Sequence, residues 1–202
     1  MKLLCYNQEK IAAYIYLTDD YIYPCICESP TDQVWVDLIR QCMQTEGNLF
    51  HIDNLSVITH KEEIVGIACV IPCGAKMNFS EHIQIPEGLY QRLQLTIDGY
   101  FLPLLAESQE FTGHNITNIC IDENYRGKGL GKLLMAHCIK EYGSGVIHLD
   151  VIADNESAVR LYRNSGFVIT NEYMGFSGNG SDLPCYHMLY TPTAKCVINQ
   201  KI

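Results

Sequence analysis

"YRGKGLGKLL", residues 125–134, places three glycines, one arginine and two lysines in ten positions and then runs into leucines. Glycines 127, 129 and 131 leave the chain without Cβ atoms, so successive amides can turn toward one ligand and approach it closely. The leucines open a helix, whose first N–H groups lack intrahelical acceptors and whose dipole is positive at this end. With Arg126, Lys128 and Lys132 added, the stretch makes an anion site suited to a pyrophosphate. A plainer reading fits the same letters: a glycine-rich turn that only joins strand to helix, its basic residues solvated.

Two common phosphate loops fail here. A Walker A loop needs Gly, four residues, then Gly-Lys-Ser/Thr. Around Gly131-Lys132 the sequence has Arg126 in place of the first glycine and Leu133 in place of the hydroxyl. A dinucleotide fingerprint needs G-x-G-x-x-G beside a first strand. In this chain the third glycine comes one residue early and the loop lies past the middle.

Working outward, "NITNICI" (115–121), the glycine stretch, "LGKLLMAHCIKEY" (130–142), "VIHLDVI" (146–152), "ESAVRLYRNS" (156–165) and "FVITNEYM" (167–174) read as strand, turn, helix, strand, helix, strand. A last strand, "CYHMLY" (185–190), follows the turn-rich "GFSGNGSDLP" (175–184). Upstream, Ile11, Tyr14 and Ile15 recur at helical spacing, and Trp35, Leu38, Ile39, Cys42 and Met43 fall at i, i+3, i+4, i+7 and i+8. Ser29 before Pro30 suits the start of that second helix. "LSVIT" (55–59) and "EIVGIACVI" (63–71), split by the polar "HKE", predict a β-hairpin. An extra loop and helix follow at about 72–110, with Leu93, Ile97, Tyr100, Phe101 and Leu104 on one side and Pro103 ending or kinking the last turn.

A second constellation lies in "DNESAVRLYRNSGF" (154–167). Asn155 falls at a helix N-terminus, Ala158, Leu161 and Tyr162 follow at i+3, i+6 and i+7, and Gly166 takes the C′ position before Phe167. Taken alone, Leu161 and Tyr162 are simply core residues at helical spacing.

Taken together, the order β, "R-G-K-G-L-G", α, β, "N-x-x-A-x-x-L-Y-x-x-x-G-F", β resembles the GCN5-related N-acetyltransferase (GNAT) family. Arg126, Gly129 and Gly131, with the additional Gly127, match its acyl-CoA signature; Asn155, Ala158, Leu161, Tyr162, Gly166 and Phe167 match its second helix motif. The two cover roughly residues 114 to 176. One departure is Glu123, where many members carry proline. The resemblance implies an α/β (α+β) fold with a mixed, mostly antiparallel central sheet of about seven strands flanked by helices. It further implies an acetyl-CoA-dependent N-acetyltransferase moving the acetyl group to a primary amine of a small molecule or peptide by direct transfer. The alternative on the same fold is a non-catalytic acyl-CoA binding or sensing module.

Site residues follow from the same resemblance. Arg126, Gly127, Lys128, Gly129, Leu130 and Gly131 would hold the pyrophosphate, main-chain groups of Ile119 and Ile121 the pantetheine, and Asn155 the cofactor arm. Tyr162 would sit near the thioester sulfur. A phenol with reference pKa of about 10 stays protonated at neutral pH and can donate to a departing thiolate, which makes Tyr162 the general-acid candidate. Backbone N–H groups near Ile121 would meet the oxyanion. No base stands out: Asn118, Cys120 and Asp122 share one strand face, and Asp53 or Glu62 could equally reach in. Cys120 as an acyl carrier competes with the plainer reading of a packed strand cysteine.

Composition sets the outer limits. The 202 residues are 48% hydrophobic and 18% charged, with a formal net charge of −9. One domain spanning 1–202 is expected, since domains of ~100–200 residues are the usual unit. The acidic balance disfavours nucleic acid, whose binding rests on Lys and Arg, and mildly favours a cationic acceptor. No apolar run of ~18 residues and no leader pattern is found, so a cytoplasmic protein with no membrane partner is expected. Ten scattered cysteines lack CxxC spacing and read as reduced structural thiols with no metal role. Two uses of the apolar 89–105 helix stay open, walling the acceptor cleft or pairing two copies as a homodimer.

Overall fold

In the computed structural model, residues 7–18, 33–75, 83–85, 91, 112–176 and 182–192 are described. Two helices come first. α1 (Gln8–Leu17) buries Ile11, Ala12, Tyr14, Ile15 and Tyr16, and α2 (Gln33–Gln44) buries Leu38, Ile39, Cys42 and Met43, the faces that helical spacing predicts. The proposed Ser29-Pro30 start of α2 lies outside the described residues, as does nearly all of the helix expected between 89 and 105.

The hairpin forms as read. β1 (Leu55–His60) and β2 (Glu63–Pro72) pair antiparallel around Lys61 and Glu62, with φ of 49° and 68°. Positive φ at both central residues matches the right-handed twist of the strands, as in a type I′ turn. β2 is buried from Ile64 to Ile71, which suits its unbroken apolar run.

β3 (His114–Ile121), α3 (Leu130–Tyr142), β4 (Ile147–Ile152), α4 (Glu156–Asn164), β5 (Val168–Phe176) and β6 (Asp182–Tyr190) complete the order. The sheet runs β1-β2-β3-β4-β6-β5 and is antiparallel except at β3–β4, where α3 provides the crossover that a parallel pair requires. The mixed, mostly antiparallel sheet is therefore as expected, but the described residues hold six strands where about seven were expected: the six apolar runs of the sequence account for all of them. The turn read over 175–184 is also shorter than expected. β5 continues through Gly175 and Phe176, and β6 begins at Asp182. A Cβ on Gly175 would lie 2.9 Å from Cys185 Sγ, so glycine here permits close cross-strand approach and does not mark a turn.

Each face of the sheet carries its own core. Ile67, Cys69, Ile71 and Cys120 pack under α1 and α2. Ala68, Val70, Ile116, Leu149, Val151 and Met188 pack under α3 and α4. Along β3 the two cores reveal an irregularity: Ile116 and Cys120 are both even-numbered, yet they face opposite sides. Between the pairs Cys69↔Asn118 and Val70↔Ile116 the register shifts, leaving Thr117 as an extra residue on β3. This β-bulge turns the strand over and sharpens its twist. Pairing of β3 with β4 covers only His114–Ile116 against Ile147–Leu149, so the two strands part at the bulge.

Candidate active site

The fork between β3 and β4 opens a strand edge. Asp122 N–H donates to Val65 O at 2.9 Å, and the Cys120 carbonyl lies 2.9 Å from the position a Gly66 Cβ would take, so both main-chain units face β2. By strand alternation those of Ile119 and Ile121 face the other edge, where β4 has departed. Arg126 Nε donates to Ile121 O at 3.0 Å, which closes the loop over the strand end and engages one of these groups.

Beyond that edge lies the glycine stretch. Gly127 and Gly129 have φ of 73° and 78°, a region open to glycine, and a Cβ on either would meet nothing within 4 Å. They serve the backbone path and border open space. Gly129 caps α3 without a side-chain hydrogen bond, and the first helical bond runs from Leu133 N to Gly129 O at 3.1 Å. Among the described residues, the successive amides of Gly127, Lys128, Gly129, Leu130, Gly131 and Lys132 donate to no protein acceptor. Such a run at a helix N-terminus fits an anionic group. Lys128 is otherwise engaged, donating to Asn124 O at 2.9 Å with its ammonium 4.8 Å from the Tyr125 ring centroid.

Gly131 has a different role from its neighbours. A Cβ there would lie 3.3 Å from Leu161 Cδ2 and 3.9 Å from Ile121 Cγ1. The glycine stretch, the end of β3 and the second motif thus converge at one point. α4 is built as its sequence indicates: Asn155 Oδ1 accepts from Ala158 N at 3.2 Å and from Ser157 Oγ at 3.0 Å, which is an N-cap. At the other end Gly166 (φ 96°) and Phe167 donate to the carbonyls of Arg163 and Tyr162, both at 3.1 Å, completing a Schellman motif. Tyr162, next to Leu161, is 9% exposed, and burial pushes its phenol up to about 12. Among the described residues its hydroxyl has no hydrogen-bond partner.

The model of the acetyltransferase (GNAT) family matches residues 12–167. The chain belongs to that family. Acetyl-CoA is the family's co-substrate, and the unpartnered amides and open β3 edge are features that fit its pyrophosphate and amide-rich arm. Among curated proteins the chain is similar to the [ribosomal protein bS18]-alanine N-acetyltransferase of Escherichia coli K12, 32% identical over 81 residues, 39% of this chain and 55% of that protein. It is also similar to the spermine/spermidine N(1)-acetyltransferase of Bacillus subtilis, 40% identical over 105 residues, 48% of this chain and 67% of that protein. The chain spans about half the length, or less, of the first curated relatives that it matches. Its fold is that of an N-acetyltransferase from Staphylococcus aureus Mu50, with a TM-score of 0.71 at 16% identity over 91% of this chain and 95% of that one.

The base candidates separate in this GNAT fold. Asp122 accepts from the Tyr14 hydroxyl at 2.8 Å and from Asn124 N at 3.0 Å, and these bonds, Tyr14's first, hold its carboxyl below the ordinary value. Asn118 donates to Thr18 Oγ1 at 2.7 Å, and Cys120 is buried under α1. Glu62 sits in the β1–β2 turn and Asp53 beside His51. Sequence reasoning missed a further group beside the fork: Asp150, the first β4 residue past the last β3–β4 pair, with His148, His187 and Tyr173. Alternation within "VIHLDVI" places His148 and Asp150 on one face, but the β4–β6 register that sets His187 opposite Asp150 is not written in either segment. No helix of the described chain is long and apolar enough to cross a membrane, and no His/Cys/Asp/Glu group among the described residues could hold a metal.

Proposed function

We propose that this chain transfers an acetyl group from acetyl-CoA to a primary amine by direct attack, with Tyr162 as the donor to the leaving thiolate. What carries the reading is the run of amides without acceptors among the described residues at the start of α3, beside a strand edge from which β4 has parted. Gly127 to Lys132, with the charge of Arg126, hold the pyrophosphate; Ile119 N–H and C=O, with Ile121 N–H, hold the pantetheine amides. Asn155 acts through its cap, fixing the start of α4 so that Tyr162 is presented about two turns further along.

Acetyl-CoA supplies the activated thioester, so no enzyme nucleophile is required. With its phenol raised to about 12, Tyr162 remains a donor throughout the working pH range. Full proton transfer to a thiolate of pKa about 8.5 would be uphill by roughly 5 kcal/mol at about 1.4 kcal/mol per unit, so Tyr162 acts by hydrogen-bond donation as sulfur charge develops. For the acceptor, the net charge of −9 favours a cationic amine. Two relatives, a spermine/spermidine N(1)-acetyltransferase and a [ribosomal protein bS18]-alanine N-acetyltransferase, supply both test classes, a polyamine and an alanyl peptide.

The test is melting temperature with saturating acetyl-CoA, with ATP and NAD as controls, followed by thiol release with spermidine and with an alanyl peptide. Stabilisation by acetyl-CoA alone, with thiol release that Tyr162→Phe slows, is expected. Stabilisation with no release for any amine would make the chain a sensing module. No stabilisation would break the link to acetyl-CoA.

A further inference from the structure

We infer that Thr18 at the end of α1 and Asn118 on β3 are positioning residues that hold the fork between β3 and β4 open in the free protein. This rests on the acetyl-CoA reading above and concerns what keeps the strand edge available before the ligand arrives.

An open fork needs a cause. β3 and β4 pair only through His114–Ile116 and Ile147–Leu149, yet β4 runs on to Ile152 along β6. Its main chain therefore continues beside the β3 segment whose Ile119 and Ile121 groups face it. Two strand edges so close are a template for pairing, because backbone N–H and C=O groups seek partners. The Thr117 bulge turns β3, and a further restraint must keep the turned segment with β2.

α1 supplies that restraint. Past the bulge, Asn118, Cys120 and Asp122 all point to the α1 side: Asn118 Nδ2 donates to Thr18 Oγ1 at 2.7 Å, Cys120 packs in the core beneath α1 and α2, and Asp122 accepts from the Tyr14 hydroxyl at 2.8 Å. The same hydroxyl lies 3.2 Å from Ile64 O on β2. Tyr14 and Thr18 stand about one turn apart on α1, so their two bonds bracket the β3 segment that carries the open edge.

The hydrogens at the Thr18 end are assigned by chemistry. Thr18 Oγ1 uses its single hydrogen on Ile15 O at 2.6 Å, so toward Asn118 it can only accept, and the amide presents Nδ2 to it. Asn118 Oδ1 then faces the bulge, where the Thr117 hydroxyl donates to it at 2.9 Å. A side chain only 6% exposed thus ties the end of α1 to the residue that makes the fork. Closing β3 onto β4 would draw Asn118 from its Thr18 acceptor, and breaking a bond of a buried polar group is costly. With that cost opposing closure, acetyl-CoA meets a site already formed, and its affinity is not reduced by a closed population.

Thr18→Val keeps the shape and removes the oxygen, whereas Thr18→Ser keeps the oxygen. Residue-resolved amide exchange of the ligand-free whole protein reads the fork directly. In Thr18→Val the Ile119 amide should become at least about tenfold more protected than in the parent or Thr18→Ser, as β3 closes on β4. General destabilisation speeds exchange, so it cannot imitate this sign. Unchanged or faster exchange at Ile119 would overturn the inference whether or not acetyl-CoA binds. By calorimetric titration, Thr18→Val should weaken acetyl-CoA about three- to tenfold and Thr18→Ser should restore it, with kcat for spermidine at saturating acetyl-CoA within about twofold of the parent, since bound ligand itself keeps the fork open. Lowered kcat at unchanged affinity would equally overturn it. Should Thr18→Val not fold, Tyr14→Phe gives the same readings through the other bond. Failure of the parent to bind acetyl-CoA would count against the acetyltransferase reading alone.

Discussion

Gly131 on α3 lies against Leu161 on α4, close enough that an added Cβ would come within 3.3 Å of Leu161 Cδ2. Within one ten-residue stretch, glycines therefore do two jobs. Gly127 and Gly129 supply a left-handed backbone bordering open space, and Gly131 lets two helices meet.

The two jobs separate on substitution. Gly129→Ala should cost about 1–2 kcal/mol, the usual penalty of a left-handed alanine. For Gly131→Ala, the helix-propensity gain of about 1 kcal/mol offsets the squeeze on the flexible end of Leu161, leaving a net change within about 1 kcal/mol. Urea unfolding of both variants checks this, and the order reverses if the helix contact is the stiffer constraint.

Tyr14 and Asp122 tie α1 to the end of β3. The Asp122 carboxyl is held below its ordinary value, chiefly by the Tyr14 hydroxyl; Tyr14 is raised, chiefly by burial and then by Asp122. Stability from Asp122 is present above about pH 4 and fades as the pH falls through its lower folded value, and that from Tyr14 fades as the pH rises past about 10. Tyr14→Phe should cost about 1 kcal/mol at pH 7, the low end for a bond to a part-exposed charge. It should also flatten both limbs of a melting-temperature profile, and limbs that stay unchanged would show that the bond contributes nothing.

Tyr162→Phe should leave stability within about 0.5 kcal/mol, because the hydroxyl removed has no protein partner among the described residues. Chemical denaturation beside the kinetic assay makes this informative: a large stability loss would mean that reduced turnover reflects misfolding.

Burial raises the thiols of Cys42 and Cys69 to about 12 and that of Cys138 to about 11. The thiolate is the reactive form, so iodoacetamide at pH 7.5 should modify the less buried Cys73 well before these three. Peptide mapping reads the order. Recovery of acetylated Cys120 after incubation with acetyl-CoA would contradict direct transfer.

Local pattern made much of this molecule legible. Apolar period two or 3.6, the Asn155 cap and the Gly166 terminus lie within a few residues of one another, so "LGKLLMAHCIKEY" predicts α3 to its ends and both motifs stand in the right order along the chain. The sequence by itself determined the kinds of elements, the glycine path before α3 and the family resemblance. Only the tertiary structure decided where the strands part and what gathers there. The Thr117 bulge exists through pairing with β2, some fifty residues earlier, and reverses the face of every later β3 residue. Asp150, His187 and Tyr173 meet because β6 inserts between β4 and β5. Register is an energy shared between distant segments, and no window of sequence contains both partners.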